Sequence, residues 1–143
     1  MSNAISSFGA DLQMSDMAST PVFTSIAEVR DITGPTLSAG TAEVTNHLST
    51  GRYREFISTV LDAGEVTFDI GYIPTNATHD PTTGLLDAFE SGVVTDFKLV
   101  FPDAGSTTWD FSGIVTGFES QIVVDGDLKA SITIKLTGQP TLR

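Results

Sequence analysis

The sequence predicts a mainly β protein with one α-helix. The first observation is the alternation in EVTFDIGYI, where Val66, Phe68 and Ile70 fall on one side of an extended chain and polar residues on the other. The same period-two pattern recurs over residues 128–136. Abundant threonine with scarce leucine and lysine adds a compositional preference for strands. A helix-rich architecture is therefore not expected.

Composition and charge restrict the function. The 143 residues are expected to form one domain, 1–143. The formal charge of −11 argues against nucleic-acid binding, because affinity for phosphate comes mainly from lysine and arginine. The absence of cysteine excludes disulfides, thiol nucleophiles and cysteine-based metal sites. Without a long apolar run or a signal-like N-terminus, we expect a protein made and kept in a cytoplasm, with no membrane span.

The first third of the chain has weaker patterns. Residues 1–21 show no clear period and are expected to form an N-terminal arm rather than core. Residues 22–35 predict a first strand, which the turn pair Gly34-Pro35 ends. Residues 35–51 are polar and longer than a usual connection, which predicts an irregular loop with a functional role.

The segment RYREFISTVLDAG, residues 52–64, is compatible with two structures. Its apolar residues match helical spacing, and Gly64 suits the end of a helix. Its β-branched residues, Ile57, Thr59 and Val60, favour a short strand that leads into a turn. The sequence leaves this choice open.

The clearest helix is HDPTTGLLDAFESG, residues 79–92. Asp80 suits the N-cap and Gly92 the stop, and an apolar face is predicted for Leu85, Leu86 and Phe89. Three strands are predicted after it, in VTDFKLVFP, in TTWDFSGIVTGF and over 128–136. The Asp125-Gly126 pair predicts a two-residue hairpin turn, so the last two strands should pair antiparallel.

The search for catalytic chemistry finds no site. The two histidines, His47 and His79, limit acid–base and metal hypotheses, and His79 is interpreted as a polar residue before a helix cap. Nucleophile elbows, phosphate loops and dinucleotide fingerprints do not occur. We therefore expect no enzyme activity, no catalytic residue, no cofactor and no metal.

Two of the four arginines, Arg52 and Arg54, lie two residues apart, directly after the polar loop. In an extended segment they would project to one side and could clamp carboxylates on a neighbouring surface. A salt bridge within the fold is an equally weighted alternative.

Seven blocks carry a resemblance that covers nearly the whole chain: AISSFGADLQM, FTSIAEVRDITGP, GRYREFISTVLDAGEVTFDIGYIP, HDPTTGLL, DFKLVFPD, WDFSGIVTGFES and ITIKLTGQPTL. In this order they resemble the major tail tube proteins of long, non-contractile bacteriophage tails. The most specific portion runs from REFI to DAGEVTFDI and is followed by the helix and the terminal TIKLTGQP strand.

The resemblance implies a structural virion protein of the phage tail. Its fold is expected to be a β-sandwich or a rolled antiparallel barrel with one flanking α-helix, related to the tube proteins of contractile tails and type VI secretion. It implies hexameric rings that stack around a tape-measure protein, with tail terminator and distal tail proteins as further partners. DNA would pass through the lumen without specific binding. The arm, the polar loop and the C-terminus are expected to contact neighbouring subunits, and the residues proposed for such contacts are Arg52, Arg54, Phe56 and His47.

Two further expectations follow from this role. Strand 65–73 is expected to be open at an edge and to continue a sheet across a subunit boundary. Six copies would carry roughly 66 negative charges per ring, six times the chain's −11, which would keep DNA sliding. Asp69 and Asp110 are candidate lumen-facing acids, although Lys129 and Lys135 on the last strand weaken that interpretation.

Two alternatives remain at this stage. A tail terminator or head–tail connector can share this fold and would close as a ring without stacking indefinitely. A small carbohydrate-binding β-sandwich would need exposed aromatic residues, whereas Trp109 falls on an alternating apolar face.

Overall fold

The computed structural model describes residues 2–143 and is built around one seven-stranded antiparallel sheet with strand order β2-β1-β7-β8-β9-β6-β3. A separate two-stranded ribbon pairs β4 with β5, and one short helix completes the fold. The elements are β1 Asp11–Ser15, β2 Phe23–Ser25, β3 Val29–Thr33, β4 Ser38–Glu43, a 3₁₀ turn Thr50–Arg52, β5 Phe56–Asp62, β6 Glu65–Gly71, α1 Leu85–Ser91, β7 Thr95–Val100, β8 Thr108–Ile122 and β9 Leu128–Leu142.

The sheet is rolled, because its two end strands are joined by very little chain. β2 and β3 lie at opposite ends of the strand order, yet only three residues connect them. Three extended residues reach roughly 10 Å. The crossing is bonded at both ends: the N–H of Ile26 donates to the carbonyl of Leu12, and the carbonyl of Glu28 accepts from the N–H of Gly71, each at 2.9 Å. The predicted fold class, a rolled antiparallel β structure with one flanking helix, is confirmed.

The core fills the inside of the roll with the apolar side chains that alternation predicted. Val66, Phe68 and Ile70 of β6 are buried, as predicted. The Phe97 and Phe111 rings of β7 and β8 stack with centroids 5.7 Å apart. The other large, fully buried apolar side chains are Leu12, Leu85, Ile132 and Ile134. Trp109 packs against this core, also as predicted.

One prediction about strand edges is wrong. β6 was expected to have an open edge, but it pairs with β9 on one side and with β3 on the other. The alternation of a strand reports its buried face and says nothing about its position in the sheet. Among residues 2–143 the open edges of the seven-stranded sheet belong instead to β2, to β3, to residues 114–122 of β8, which lie beyond its pairing with β7, and to the end of β9. The pairing with β6 ends at Lys135, so residues 137–142 have only β8 beside them.

The N-terminal third is more ordered than its sequence suggests. The stretch expected to be an arm, 1–21, contains β1, whose Leu12 and Met14 are buried between β2 and β7; Met1 lies outside the described residues. The strand predicted over 22–35 is two strands, because the chain turns at residues 26–28 to cross the roll. The loop expected to be irregular, 35–51, contains β4. The open choice over 52–64 is resolved as strand β5.

The helix begins later than its sequence suggests. Gly84 is the N-cap residue of α1, while Asp80 caps the preceding turn by accepting N–H groups of Thr82, Thr83 and Gly84. Gly92 ends the helix in a left-handed conformation, φ 67°, as predicted. The buried helical residues are Leu85 and Ala88, so the predicted face that included Phe89 is wrong: the Phe89 side chain is 40% exposed.

β8 and β9 pair antiparallel, as predicted, and each is 15 residues long. Their connection is longer than the predicted two-residue turn. Ile122 is opposite Leu128, so five residues, 123–127, form the loop that contains Asp125-Gly126.

Candidate functional site

The candidate site is the β4–β5 ribbon, which extends away from the rolled sheet. β4 and β5 pair with each other and with no other strand of residues 2–143. All seven residues of β5 are exposed, including four large apolar side chains. Their exposed fractions are 56% for Phe56, 52% for Ile57, 80% for Val60 and 74% for Leu61. A strand this apolar and this exposed is typical of a surface that another protein covers.

The ribbon is apolar on both of its faces. Cross-strand partners share a face, and the register pairs Glu43 with Phe56 and Ala39 with Leu61, so Phe56 and Leu61 lie on one face. Ile57 pairs with Ala42 and therefore lies on the opposite face, as does Val60, which precedes Leu61. Phe56 and Leu61 share a face although they are five residues apart, because β5 carries a bulge between them. We call these the Phe56 face and the Ile57 face.

The bulge has a local cause. Ala39 pairs with Leu61 and Thr41 with Ser58, so Thr59 and Val60 are opposite the single residue Gly40. A Cβ atom at Gly40 would lie 2.7 Å from the Thr59 hydroxyl oxygen. Glycine therefore makes room for the extra residue.

The tip loop, residues 44–55, joins the two strands and is held by its own hydrogen bonds. The Asn46 side-chain oxygen accepts from the N–H of Leu48 at 2.8 Å. The Ser49 hydroxyl donates to the Glu55 carboxylate at 2.6 Å, and the N–H of Glu55 donates to the Thr45 hydroxyl at 2.8 Å. Leu48 and Tyr53 are nevertheless strongly exposed. The loop thus presents apolar side chains on an ordered backbone.

The structure places all four residues proposed for subunit contacts in or next to this loop. His47 is exposed in a turn, and Phe56 begins β5. Arg54 forms an exposed, long ion pair with Glu43, Nε to Oε1 3.9 Å. Arg52 ends the 3₁₀ turn with φ 64°, so Arg52 and Arg54 do not form the single extended segment that the sequence analysis assumed. Their role in subunit contacts stays a prediction.

The charge of the tip differs in sign from that of the remaining chain. The tip loop, residues 44–55, contains Arg52, Arg54 and one acid, Glu55, so its net charge is +1, whereas the chain as a whole has a formal charge of −11. Five of the seven lysines and arginines form ion pairs with acids, and Arg52 has no ion-pair partner within residues 2–143. The tip is therefore attracted to acidic surfaces.

A groove lies between the Phe56 face and the C-terminal part of β9. It has a volume of about 590 Å³, and its apolar lining includes Leu37, Leu61, Trp109 and Pro140. It lies beside residues 137–142, where β9 has an open edge. An extended segment placed there would find both apolar contacts and unpaired backbone groups.

The two candidate lumen acids have different surroundings. Asp69 is exposed on the outer face of β6, opposite Ser131 of β9. Asp110 is half-buried on β8 and forms an ion pair with Arg143, which raises the pKa of that guanidinium. Both side chains point outward, as the alternation of apolar and polar residues along β6 and β8 predicted. Their position relative to a lumen stays a prediction.

Sequence reasoning missed the exposure of β5 and the open edge of β9. The signal for β5 was the run FISTVL, which is apolar without a regular alternation and follows a polar loop. No sequence signal marks the β9 edge, because it results from β6 being shorter than β9. Within residues 2–143, no group of three or more histidine and acidic side chains could hold a metal ion, and no helix is long and apolar enough to span a membrane.

Solved structures of tubular assemblies share this fold. The chain is similar to one from the tail of an empty gene transfer agent particle with C6 symmetry, with a TM-score of 0.78, 19% identity and coverage of 98% of this chain and 99% of that one. It is similar to a chain of an extracellular contractile injection system, PVC, in a sheath/tube terminator structure, with a TM-score of 0.72, 14% identity and coverage of 99% and 98%. It is also similar to the SPP1 tail tube protein, with a TM-score of 0.68, 13% identity and coverage of 93% and 75%.

The sequence itself matches a family model. No curated protein sequence matches the chain. The model described as lambda phage tail tube protein, TTP, matches residues 7–143, which is nearly the whole chain. This match confirms the resemblance found in the sequence blocks. The chain therefore belongs to the lambda phage tail tube protein family.

Proposed function

We propose that this chain assembles into hexameric rings, that the rings stack into a tail tube, and that DNA is delivered to the host through the channel of that tube. The observation that carries the proposal is the exposed β4–β5 ribbon on a chain of the tail tube family. As a member of this family, the chain is a structural protein of the virion tail. A role as structural element rather than enzyme agrees with the lack of a catalytic motif in the sequence.

Open strand edges support closure into a ring. The strands β2, β1, β7, β8 and β9 lie side by side in that order. β2 has an open edge at one end of this set, and residues 137–142 of β9 have an open edge at the other end. Strand addition between such edges on neighbouring copies would satisfy their backbone groups. Ring closure then removes the edges, as it does in a barrel.

The charge of the chain supports passage of DNA without binding. A hexameric ring would carry roughly 66 negative charges, six times −11. Five of the seven basic side chains already pair with acids of the same chain, which leaves few cations for phosphate. Asp69 and Asp110 remain the candidates for lumen-facing acids. A tape-measure protein inside the tube, with terminator and distal tail proteins at its ends, would complete the assembly.

The proposal is tested by electron microscopy of the purified chain across a range of concentrations. We expect long tubes of stacked rings with sixfold symmetry and a central channel. Single rings that never stack would favour a terminator or connector instead. A chain that stays monomeric at every concentration, and in the presence of its tape-measure protein, would contradict the proposal.

A further inference from the structure

We propose that the Asp125-Gly126 pair is a site of spontaneous covalent modification, at which the aspartate isomerises to isoaspartate through a cyclic imide. Water is the only co-reactant. The reaction needs the folded chain alone, so it is independent of the proposed tube assembly. The sequence predicted that this pair forms a two-residue hairpin turn, but it lies in the five-residue loop 123–127 between β8 and β9.

The chemistry is intramolecular. The backbone nitrogen of Gly126 attacks the Cγ atom of the protonated Asp125 carboxyl group, and a C–N bond forms. The carboxyl hydroxyl leaves with the N–H proton as one molecule of water. A water molecule then opens the five-membered ring at one of its two carbonyl groups. Opening at the side-chain carbonyl restores aspartate, and opening at the main-chain carbonyl gives isoaspartate, in which the main chain runs through the former side chain.

Gly126 is the residue that leaves the nitrogen open to this attack. It is the only glycine of the chain that follows an aspartate or an asparagine. Glycine has no Cβ atom to hinder the approach of the carboxyl carbon. A Cβ atom placed on Gly126 would have its nearest neighbour, the Cβ of Val123, at 3.6 Å, so the space around this residue is open.

The loop also leaves the Asp125 carboxyl group without a partner. Asp125 and Gly126 are both exposed, and the pairing of β8 with β9 stops on either side of the loop. Within residues 2–143 Asp125 has no ion-pair partner, and the only side-chain hydrogen bond of the loop joins Arg30 to Asp127. A carboxyl group that no donor holds can turn toward the neighbouring nitrogen, and two reacting groups so close in one chain have a high effective concentration.

Asp103, in the loop between β7 and β8, has the opposite surroundings. One of its carboxylate oxygens accepts the N–H of Thr107 at 2.7 Å, and the other accepts the Thr107 hydroxyl at 2.6 Å. The hydroxyl and then the N–H lower the pKa of Asp103, which keeps it in the ionised form that has no hydroxyl to lose. The next residue, Ala104, is exposed, so Ala104→Gly gives this held carboxylate the same glycine neighbour that Asp125 has.

Isomerisation changes the length of the loop and leaves the charge of the chain unchanged. The main chain gains one carbon atom, or about 1.5 Å, and the carboxylate is kept as a branch. Asp127, two residues further on, forms an ion pair with Arg30 that joins this loop to β3. The longer loop should weaken that pair, while β8 and β9 keep their register because their pairing lies outside the loop.

The test incubates the purified full chain in buffer made with ¹⁸O-labelled water. Each ring opening adds one labelled oxygen to Asp125, which mass spectrometry of the digested chain detects. A protease that cleaves before aspartate but not before isoaspartate identifies the isomer. We expect label and isomer to accumulate at least about tenfold faster in wild type than in Gly126→Ala, whose added methyl group hinders the attack. The substitution should fold normally, because Gly126 does not have a left-handed backbone and its Cβ would meet no atom closer than 3.6 Å.

A second comparison separates the effect of the loop from that of the dipeptide. In the folded Ala104→Gly variant, Asp103 should react at least about tenfold more slowly than Asp125 of the same chain, because Thr107 holds its carboxylate. In the same variant unfolded in urea, where Thr107 no longer holds Asp103, the two sites should react at similar rates.

Three results would overturn the inference. One is a folded wild-type chain in which Asp125 acquires neither the label nor the isomer. Another is an equal rate in wild type and in Gly126→Ala. The third is an equal rate at Asp125 and Asp103 in the folded Ala104→Gly variant, since the surroundings of the carboxyl group would then play no part. Failure of the wild-type chain to form tubes bears on the proposed function alone.

Discussion

The His79 side chain joins the two ends of the rolled sheet to the loop before the helix: its Nε2 atom lies 2.8 Å from the carbonyl oxygen of Ala27. Its Nδ1 atom accepts the N–H of Ile73 at 3.1 Å, so Nε2 carries the proton and donates to Ala27. Ala27 lies in the three-residue crossing between β2 and β3. The fully buried imidazole therefore fastens the segment that closes the roll.

We expect His79→Ala to lower the free energy of unfolding by about 2–5 kcal/mol, because it removes a fully buried side chain together with its hydrogen bonds to the N–H of Ile73 and the carbonyl of Ala27. Urea denaturation measures this change. His47→Ala is the matched control, since His47 is exposed in the tip loop, and its effect should stay within about 0.5 kcal/mol. Equal effects of the two substitutions would show that the imidazole does not fasten the crossing.

Gly84→Ala should destabilise the fold by about 1–3 kcal/mol, although alanine is the better helix former. A Cβ atom at this buried N-cap position would lie 2.5 Å from the backbone N of His79 and 2.6 Å from that of Asp80. Thermal denaturation compared with Ser91→Ala, at the exposed end of the same helix, separates the two effects. A rise in melting temperature for Gly84→Ala would mean that helix propensity dominates.

Stability should fall in acid, and Asp80 should contribute to the fall. The N–H of Thr83, followed by other donors of the turn, lowers the pKa of Asp80 from its ordinary value of 3.8. A carboxyl whose pKa is lower in the folded chain stabilises it above the unfolded value, and this stabilisation is lost as pH falls through the folded value. Urea denaturation at pH 7 and pH 3 should therefore show a smaller loss for Asp80→Asn than for wild type. An unchanged loss would assign the acid sensitivity to other carboxyls, such as Asp127, whose pKa the Arg30 side chain lowers.

Reversing both tip charges, Arg52→Glu with Arg54→Glu, should reduce tube formation without changing the circular dichroism spectrum of the chain. The reason is that a cationic tip would become an acidic one facing acidic copies. Sedimentation of assembled material measures the effect, which should weaken at about 1 M salt, where the screening length is about 3 Å. Lys129→Glu is a control with the same change of sign outside the ribbon. Normal tube yield from the double variant at low salt would exclude an electrostatic role for the tip.

Neutralising a lumen acid should slow DNA delivery and leave tube assembly intact. Asp69→Asn is the cleaner variant, because Asp69 has no ion-pair partner within residues 2–143, whereas Asp110 pairs with Arg143. Phage carrying Asp69→Asn in every tube subunit would be compared with wild type for tail length and for the rate of DNA ejection. Unchanged ejection kinetics and infectivity would show that Asp69 does not act on passing DNA.

Alternation along the chain was sufficient to predict a mainly β protein and the buried face of β6, because a buried face imposes a period of two. The rolled architecture was predicted only from the resemblance to a known family. It could not predict which strands pair: β6 lies between β9 and β3, whose residues are far apart in sequence. The burial of Leu12 and Met14 in β1 was not predicted for a different reason, since a five-residue strand carries too few repeats to show a period of two.

The β4–β5 ribbon is a second case that local sequence pattern could not predict in full. Ile57, Thr59 and Val60 favoured a strand, and the structure has one, but a strand that no other part of the chain covers has no buried face to fix its alternation. The proposed contact residues Arg52 and Arg54 were found by their charge, which is a property of composition. Their geometry depends on the left-handed backbone of Arg52, which no sequence pattern marked.

The bulge opposite Gly40 determines how many residues can be removed from β5 without moving its apolar side chains to the other face. Removing Thr59 would restore one-to-one pairing along the ribbon and leave Phe56 with Leu61, and Ile57 with Val60, on the faces they now occupy. Removing Ser58 in addition would move Leu61 across to the side of Ile57. A shortening by one residue should therefore be compatible with a working tail, and a shortening by two should not.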